Sequence, residues 1–296
     1  EPDSFAAGAT ATLDLIVSHA GPPLPGGELA WEVRRDDGTL LDAGTLPVPG
    51  PLAGGRPRSL GRIAFDAPDA GRAETLRFDL ALYNETIQVR NTWPLWVFPL
   101  VTAWPEGIAL LDPAGCLAGL DDLAAGARRV ARPDGAARVL IASDLTGDVL
   151  AFLREGGAVL LLQNSDGPLP AEGGPFWRNS IKFIGDHPVM DAFPHDGIVD
   201  LQFYGLASEW ALLTDRAVEA LPEAGAPRSL LRRMSANQFT LSDYLVEIPV
   251  GRGRLIASTL RFQGGEGDQP FGLRDHLAGR WLLWNLLQYL GAPPDA

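Results

Sequence analysis

The residues able to do chemistry are one cysteine, a few serines, four histidines and many carboxylates, and their spacing decides which reactions are open. A nucleophilic cysteine needs a tight strand-to-helix turn and a histidine base held by an acid. Cys116 lies in Gly115-Cys116-Leu117-Ala118-Gly119. Its glycine spacing is wrong for such a turn, and no histidine–glutamate pair follows, so it reads as an inert buried thiol. Ser165, in Gln163-Asn164-Ser165-Asp166-Gly167, lacks the flanking glycines of a serine elbow and reads as part of a polar loop. His19, His187, His195 and His276 form no ligand spacing, so neither a metal nor a cofactor is expected. Asp186-His187 and His195-Asp196 share one loop region and read as loop-bracing or solvated histidines. No carboxylate pair stands out for glycoside cleavage, and no phosphate-cradling glycine loop is present.

The elements that must position these residues change character along the chain. Up to about residue 98, short runs alternate apolar and polar residues, as in Leu29-Ala30-Trp31-Glu32-Val33 and Leu76-Arg77-Phe78-Asp79-Leu80. Asp36-Asp37-Gly38 supplies a hairpin turn. Strands are expected near 40–46, 60–65, 76–83 and 87–98, and together they predict an Ig-like or fibronectin-like β-sandwich over residues 1–98. Asn91 to Pro99, with Trp93, Trp96, Pro94 and Pro99, reads as a stiff, packed joint.

Residues 99–296 alternate buried-looking strands with helical patterns, which predicts a flavodoxin-like α/β domain with an antiparallel extension. Strands are expected at 107–112, 138–142 and 158–163, and a hairpin at 244–250 and 254–262. Helices are expected at 117–125, at 146–155 capped by Ser143-Asp144, and at 273–290. In such sheets ligands sit beyond the C-terminal strand ends, here near Asp112, Asp144 and Asn164. The fold class is therefore multidomain, β plus α/β.

Composition narrows the partners. A net charge of -13 repels nucleic acid and anionic membrane alike. No apolar run approaches the ~20 residues of a membrane helix. The chain reads as soluble, with a periplasmic or secreted placement open. It begins Glu1-Pro2-Asp3, which reads as a piece of something longer or a mature product. The excess of arginine over its single lysine, Lys182, and the many Ala, Gly and Pro, reflect GC-rich coding bias.

Three segments resemble the C-terminal portion of bacterial glycoside hydrolase family 2, the β-galactosidase-like proteins. One is Asn91 to Pro99. The second holds Phe176-Trp177-Arg178-Asn179, then His187-Pro188 with Phe193-Pro194, then Gln202-Phe203-Tyr204-Gly205-Leu206. The third is Val250-Gly251-Arg252-Gly253-Arg254 with the strand that follows. Arg178 is an insertion, and Phe203-Tyr204 stands where the family favours two tryptophans.

The resemblance implies a class I amidotransferase-like second domain without its nucleophile. It also implies that the catalytic glutamates belong to a (β/α)₈ barrel N-terminal to this region, too large to fit beside the sandwich. On that basis the chain is a non-catalytic accessory region of a glycosidase, packing on the missing barrel, assembling subunits into a homo-oligomer, or adding a loop to the sugar site. A carbohydrate-binding module is the alternative, with Trp177, Asn179, His187, Gln202, Tyr204 and Trp210 as the sugar contacts. A free-standing hydrolase using Cys116 or Ser165 is the third reading.

Overall fold

The computed structural model describes all residues except 1–2, 85–87, 114, 118–119, 121–126, 164, 175–179, 263–272, 274–275 and 294–296. The chain divides into two compact units, Glu1–Leu100 and Val101–Ala296.

Among its described residues the first unit has seven strands: β1 (Ser4–Ala6), β2 (Thr10–Val17), β3 (Gly27–Arg35), β4 (Leu40–Val48), β5 (Arg58–Asp66), β6 (Glu74–Tyr83) and β7 (Gln88–Phe98). Five of them form a sheet in the order β1-β7-β6-β3-β4, and β2 pairs with β5. Side chains alternate across a strand, so every second residue points inward. Leu29, Trp31 and Val33 of β3 and Leu76, Phe78 and Leu82 of β6 meet Ala11, Leu15, Ile63 and Phe65 of the β2–β5 pair in one buried core.

Strand β7 matches the strand expected at 87–98 and takes in all of the Asn91 to Pro99 segment except Pro99. Trp96 is buried, while Trp93 is 42% exposed and stacks on Phe78 with ring centroids 5.9 Å apart. Pro94 pairs with Arg77, and β1 joins the other side of β7 only from Trp96 onward. Proline is tolerated there because no neighbour needs its missing N–H.

The second unit holds strands β8 (Ile108–Leu111), β9 (Arg128–Arg129), β10 (Val139–Ala142), β11 (Ala158–Leu162), β12 (Ala171–Gly173), β13 (Ser180–Ile184), β14 (Trp210–Leu212), β15 (Arg228–Ser235), β16 (Thr240–Val250) and β17 (Gly253–Ser258). Its helices are α1 (Gly147–Arg154), α2 (Thr214–Ala220) and α3 (Leu277–Gly291). Neighbours β9-β8-β10-β11-β17 run parallel, and β17-β16-β14-β12, with β15 beside β16 and β13 beside β15, run antiparallel. The unit is thus β-rich, with few helices among the described residues and a larger antiparallel part than the expected flavodoxin-like extension. The helix expected at 117–125 lies largely outside the described residues.

Apolar runs in β8, β10 and β11 are buried on both faces, as central strands require. Thr146, not Ser143-Asp144, caps α1, because its hydroxyl accepts from the Val149 N–H. Gly251, at φ 58°, turns β16 into β17 against α1. A Cβ on Gly253 would stand 2.3 Å from the Leu153 carbonyl oxygen and 2.4 Å from that of Gly157. Gly253→Ala is therefore expected to cost about 2 kcal/mol or more, read as a thermal midpoint lower by roughly 5 °C. An unchanged midpoint would contradict this packing.

Candidate functional site

The parallel strands β8, β10, β11 and β17 change from apolar to polar at their C-terminal edge. Asp112, Ser143, Gln163 and Thr259 come next in the chain, at the sheet edge where parallel sheets bind ligands; Asp112 and Ser143 are part-exposed, and Gln163 and Thr259 are buried. Asp112 is fully committed there. Its carboxylate accepts from the Ser143 hydroxyl (2.8 Å), the Leu117 N–H (2.8 Å), the Cys116 N–H (3.0 Å) and the Cys116 thiol (3.5 Å). Burial pushes its pKa up, and the hydrogen bonds from Leu117, Ser143 and Cys116 outweigh it, leaving the group below its ordinary 3.8.

Cys116 is exposed, not buried as expected. Partial desolvation and the facing Asp112 charge nevertheless hold its thiol above the ordinary 9.0. A thiol kept protonated beside a carboxylate is a poor nucleophile. Its half-maximal alkylation by iodoacetamide is expected above pH 9, and Asp112→Asn should move it downward. A midpoint near neutrality would contradict the geometry.

The remaining strand-end residues brace their own loops. Asp144 accepts from the Leu145 N–H at 2.7 Å, and Ser165 donates to the Asp166 carbonyl at 3.2 Å. Gln163 ties the loop through Ser165 and Leu169 at 2.9 Å each. Asn164 lies outside the described residues, as do Trp177 and Asn179.

Of the two roles expected of His187, loop brace and sugar contact, its surroundings fit the first. It is fully buried, with Nδ1 accepting from the Val189 N–H at 3.2 Å. The ring proton therefore sits on Nε2, which donates to Glu247 at 3.2 Å. Tyr289 of α3 donates its hydroxyl to the same carboxylate at 3.0 Å, and its ring meets that of His187 edge-on at 4.8 Å. Burial raises the Glu247 pKa, but the hydrogen bonds from His187 and Tyr289 and nearby positive charge bring it below the ordinary 4.5. Arg254 stacks on Tyr289 and donates to the carbonyls of Tyr289, Leu290 and Ala292, capping the C-terminus of α3. The arrangement clamps the 187–190 loop, β16, β17 and α3 together.

Two more charged groups are locked inside the sheet. Asp243 accepts from Thr214, Ser229 and Arg232. Arg233 donates to Ser242 at 3.1 Å, to the Glu209 carbonyl at 2.9 Å and to Glu172 at 3.2 Å. Glu247 and Asp243 belong to no motif, although a lone acid in the run Tyr244-Leu-Val-Glu-Ile-Pro-Val is a signal of a buried, partnered carboxylate. A buried carboxylate must be paired or hydrogen-bonded.

The other expected sugar contacts are dispersed in environment. Gln202 is buried, donating to the Pro194 carbonyl at 2.9 Å. Tyr204, in the 3₁₀ turn Leu201–Leu206, is 53% exposed. The Trp210 ring lies against Gly173 across the β12–β14 pair. Among the described residues, no three His, Cys, Asp or Glu side chains are grouped to hold a metal, and no helix is long and apolar enough to cross a membrane.

Similar solved structures include a β-glucuronidase from Parabacteroides merdae, 9% identical, covering 52% of this chain and 22% of that one at a TM-score of 0.25. A family 123 glycoside hydrolase from Clostridium perfringens is 10% identical, covering 40% and 26% at a TM-score of 0.21. A CARDB domain from Pyrococcus furiosus, solved in complex with di-metal ions, is 17% identical, covering 34% and 86% at a TM-score of 0.23. Glycoside hydrolases are thus among the structural neighbours at low identity and coverage, and the likeness is too loose to carry a reaction to this chain. No curated protein matches it. Residues 9–99, within the first unit, match the model of a domain of unknown function, DUF8488.

Proposed function

We propose that the chain is a non-catalytic accessory region of a carbohydrate-active hydrolase. In this reading residues 1–98 are an Ig-like sandwich, and residues 99–296 are a flavodoxin-like, amidotransferase-like domain without its nucleophile. The order β9-β8-β10-β11-β17, numbered along the chain as 2-1-3-4-5, is the flavodoxin-like order and supports the second assignment.

The observation carrying the accessory role is the state of Cys116. At the strand-end edge where acyl-transfer chemistry would need a thiolate, a protonated thiol faces a carboxylate. The His187 clamp supports the same role, since it makes the family-like His-Pro segment a brace. The catalytic carboxylates would then reside in a barrel outside residues 1–296, and this region would pack on that barrel or assemble subunits. A periplasmic or secreted setting fits such a hydrolase.

Incubation of the chain with nitrophenyl glycosides of the common hexoses, pentoses and uronic acids is expected to give no release above background. Turnover in the ordinary enzymatic range, about 1 s⁻¹ or more, would overturn the reading.

A further inference from the structure

The outer face of the first unit's five-stranded sheet carries long side chains interrupted by a gap. Strand register places Ala30 of β3 opposite Ala81 of β6, and Ala81 opposite Arg90 of β7. The row on one side is Glu32, Asp79 and Thr92; the row on the other is Glu28, Tyr83 and Gln88. Side chains two residues apart on one face stand roughly 7 Å from each other along a strand. Two alanines in register therefore leave a depression with an apolar floor between polar walls. The structure shows a cavity of about 330 Å³ over these alanines, lined by Glu32, Arg77, Asp79, Thr92, Tyr83 and Arg90, with Glu28 and Gln88 outside the lining; its volume is at the lower end of the range for small-ligand sites.

The walls are held in place. Asp79 accepts from Arg77 and from Thr92, each at 2.6 Å. Arg34 donates to Glu32 at 2.8 Å, and Arg90 lies over the Tyr83 ring while donating to its hydroxyl at 3.1 Å. These contacts fix rotamers before a ligand arrives, which lowers the ordering cost of binding. The face is also charge-balanced: Glu28, Glu32 and Asp79 stand with Arg34, Arg77 and Arg90. An ion gains little from such a site. A neutral polyol gains much, since carboxylates accept its hydroxyl protons and guanidiniums donate to its oxygens.

We infer that this trough is a binding site for a neutral saccharide, with a sugar ring on the Ala30–Ala81 floor against Tyr83 and its hydroxyls on Asp79, Glu32 and Arg90. The methyl floor and the phenol wall suit the apolar C–H face of a pyranose. The polar rows suit its hydroxyl rim. The inference stands on the trough's own chemistry and goes beyond the accessory reading, because a chain without hydrolytic turnover can bind sugar and a hydrolytic one can lack this site.

The test is calorimetric titration of the whole chain with methyl glycosides of glucose, galactose, mannose and xylose, and with methyl glucuronide. Saturable binding of at least one neutral glycoside is expected, with Kd on the order of 1 mM. Ala81→Leu, which fills the floor, should weaken it by about 10-fold or more, and Tyr83→Ala by about 10-fold. Tyr83→Ala keeps the test decisive should Ala81→Leu lower the melting temperature. Three outcomes each overturn the inference: no neutral glycoside binds, binding survives both variants, or the glucuronide binds more tightly than the glucoside.

Discussion

His187→Ala is expected to destabilise the second unit by about 3 kcal/mol or more. The variant removes the donor that Glu247 receives at 3.2 Å, in a position without solvent to replace it. It also orphans the Val189 N–H and leaves a cavity against the Tyr289 ring. Hydrogen exchange of the β16 and β17 amides reads the effect in the second unit alone. Their protection should fall by roughly 100-fold or more, while the amides of β3 and β6 stay unchanged. A loss under about 1 kcal/mol would mean that the clamp contributes only what an ordinary exposed pair does.

Glu247 adds an acid dependence of known sign. Its folded pKa lies below 4.5, so its stabilisation is present above that value and is lost as pH falls through the lower folded value.

Acidification from pH 7 to pH 4 is expected to remove about 3 kcal/mol through His276 alone. Burial holds its pKa at about 4, against an ordinary 6.5. In the folded chain its Nδ1 accepts from the Gly279 N–H at 3.0 Å, capping α3, and its ring packs against Gly205. The folded state therefore binds this proton less tightly than the unfolded one. Stability falls as pH drops from 6.5 towards 4 and levels off below. Asn is a good cap without a titrating group. His276→Asn should flatten that window in β17 exchange protection, leaving the Glu247 loss at lower pH. An unchanged slope in the variant would assign the acid sensitivity elsewhere.

Strand positions were legible wherever one physical signal dominated. Leu76 to Tyr83 alternates because one face of β6 is buried and the other is solvated, and 158–162 is uniformly apolar because β11 is buried on both faces. Gly251 and Gly253 marked their turn because no side chain fits there. Helix starts were less legible. Ser143 and Thr146 are both competent caps, and Ser143 is drawn away by Asp112, a residue 31 positions earlier. The strand over 87–98 is legible in the sequence, but its partner is not: pairing with β6 decides its place.

The candidate site divides along the same line. By itself the sequence determined that Cys116 and Ser165 lack elbow spacing, that the chain is acidic, and that two halves follow different hydrophobic periods. Those properties are local or additive, so they are readable along the chain. Only the tertiary structure decided that His187 meets Glu247 and Tyr289 across 60 and 102 positions, and that Ala30 and Ala81 fall side by side in a polar face. A hydrogen bond or a cavity depends on which strands become neighbours and in which register, and that is fixed by the burial of the whole apolar face, not by any single residue.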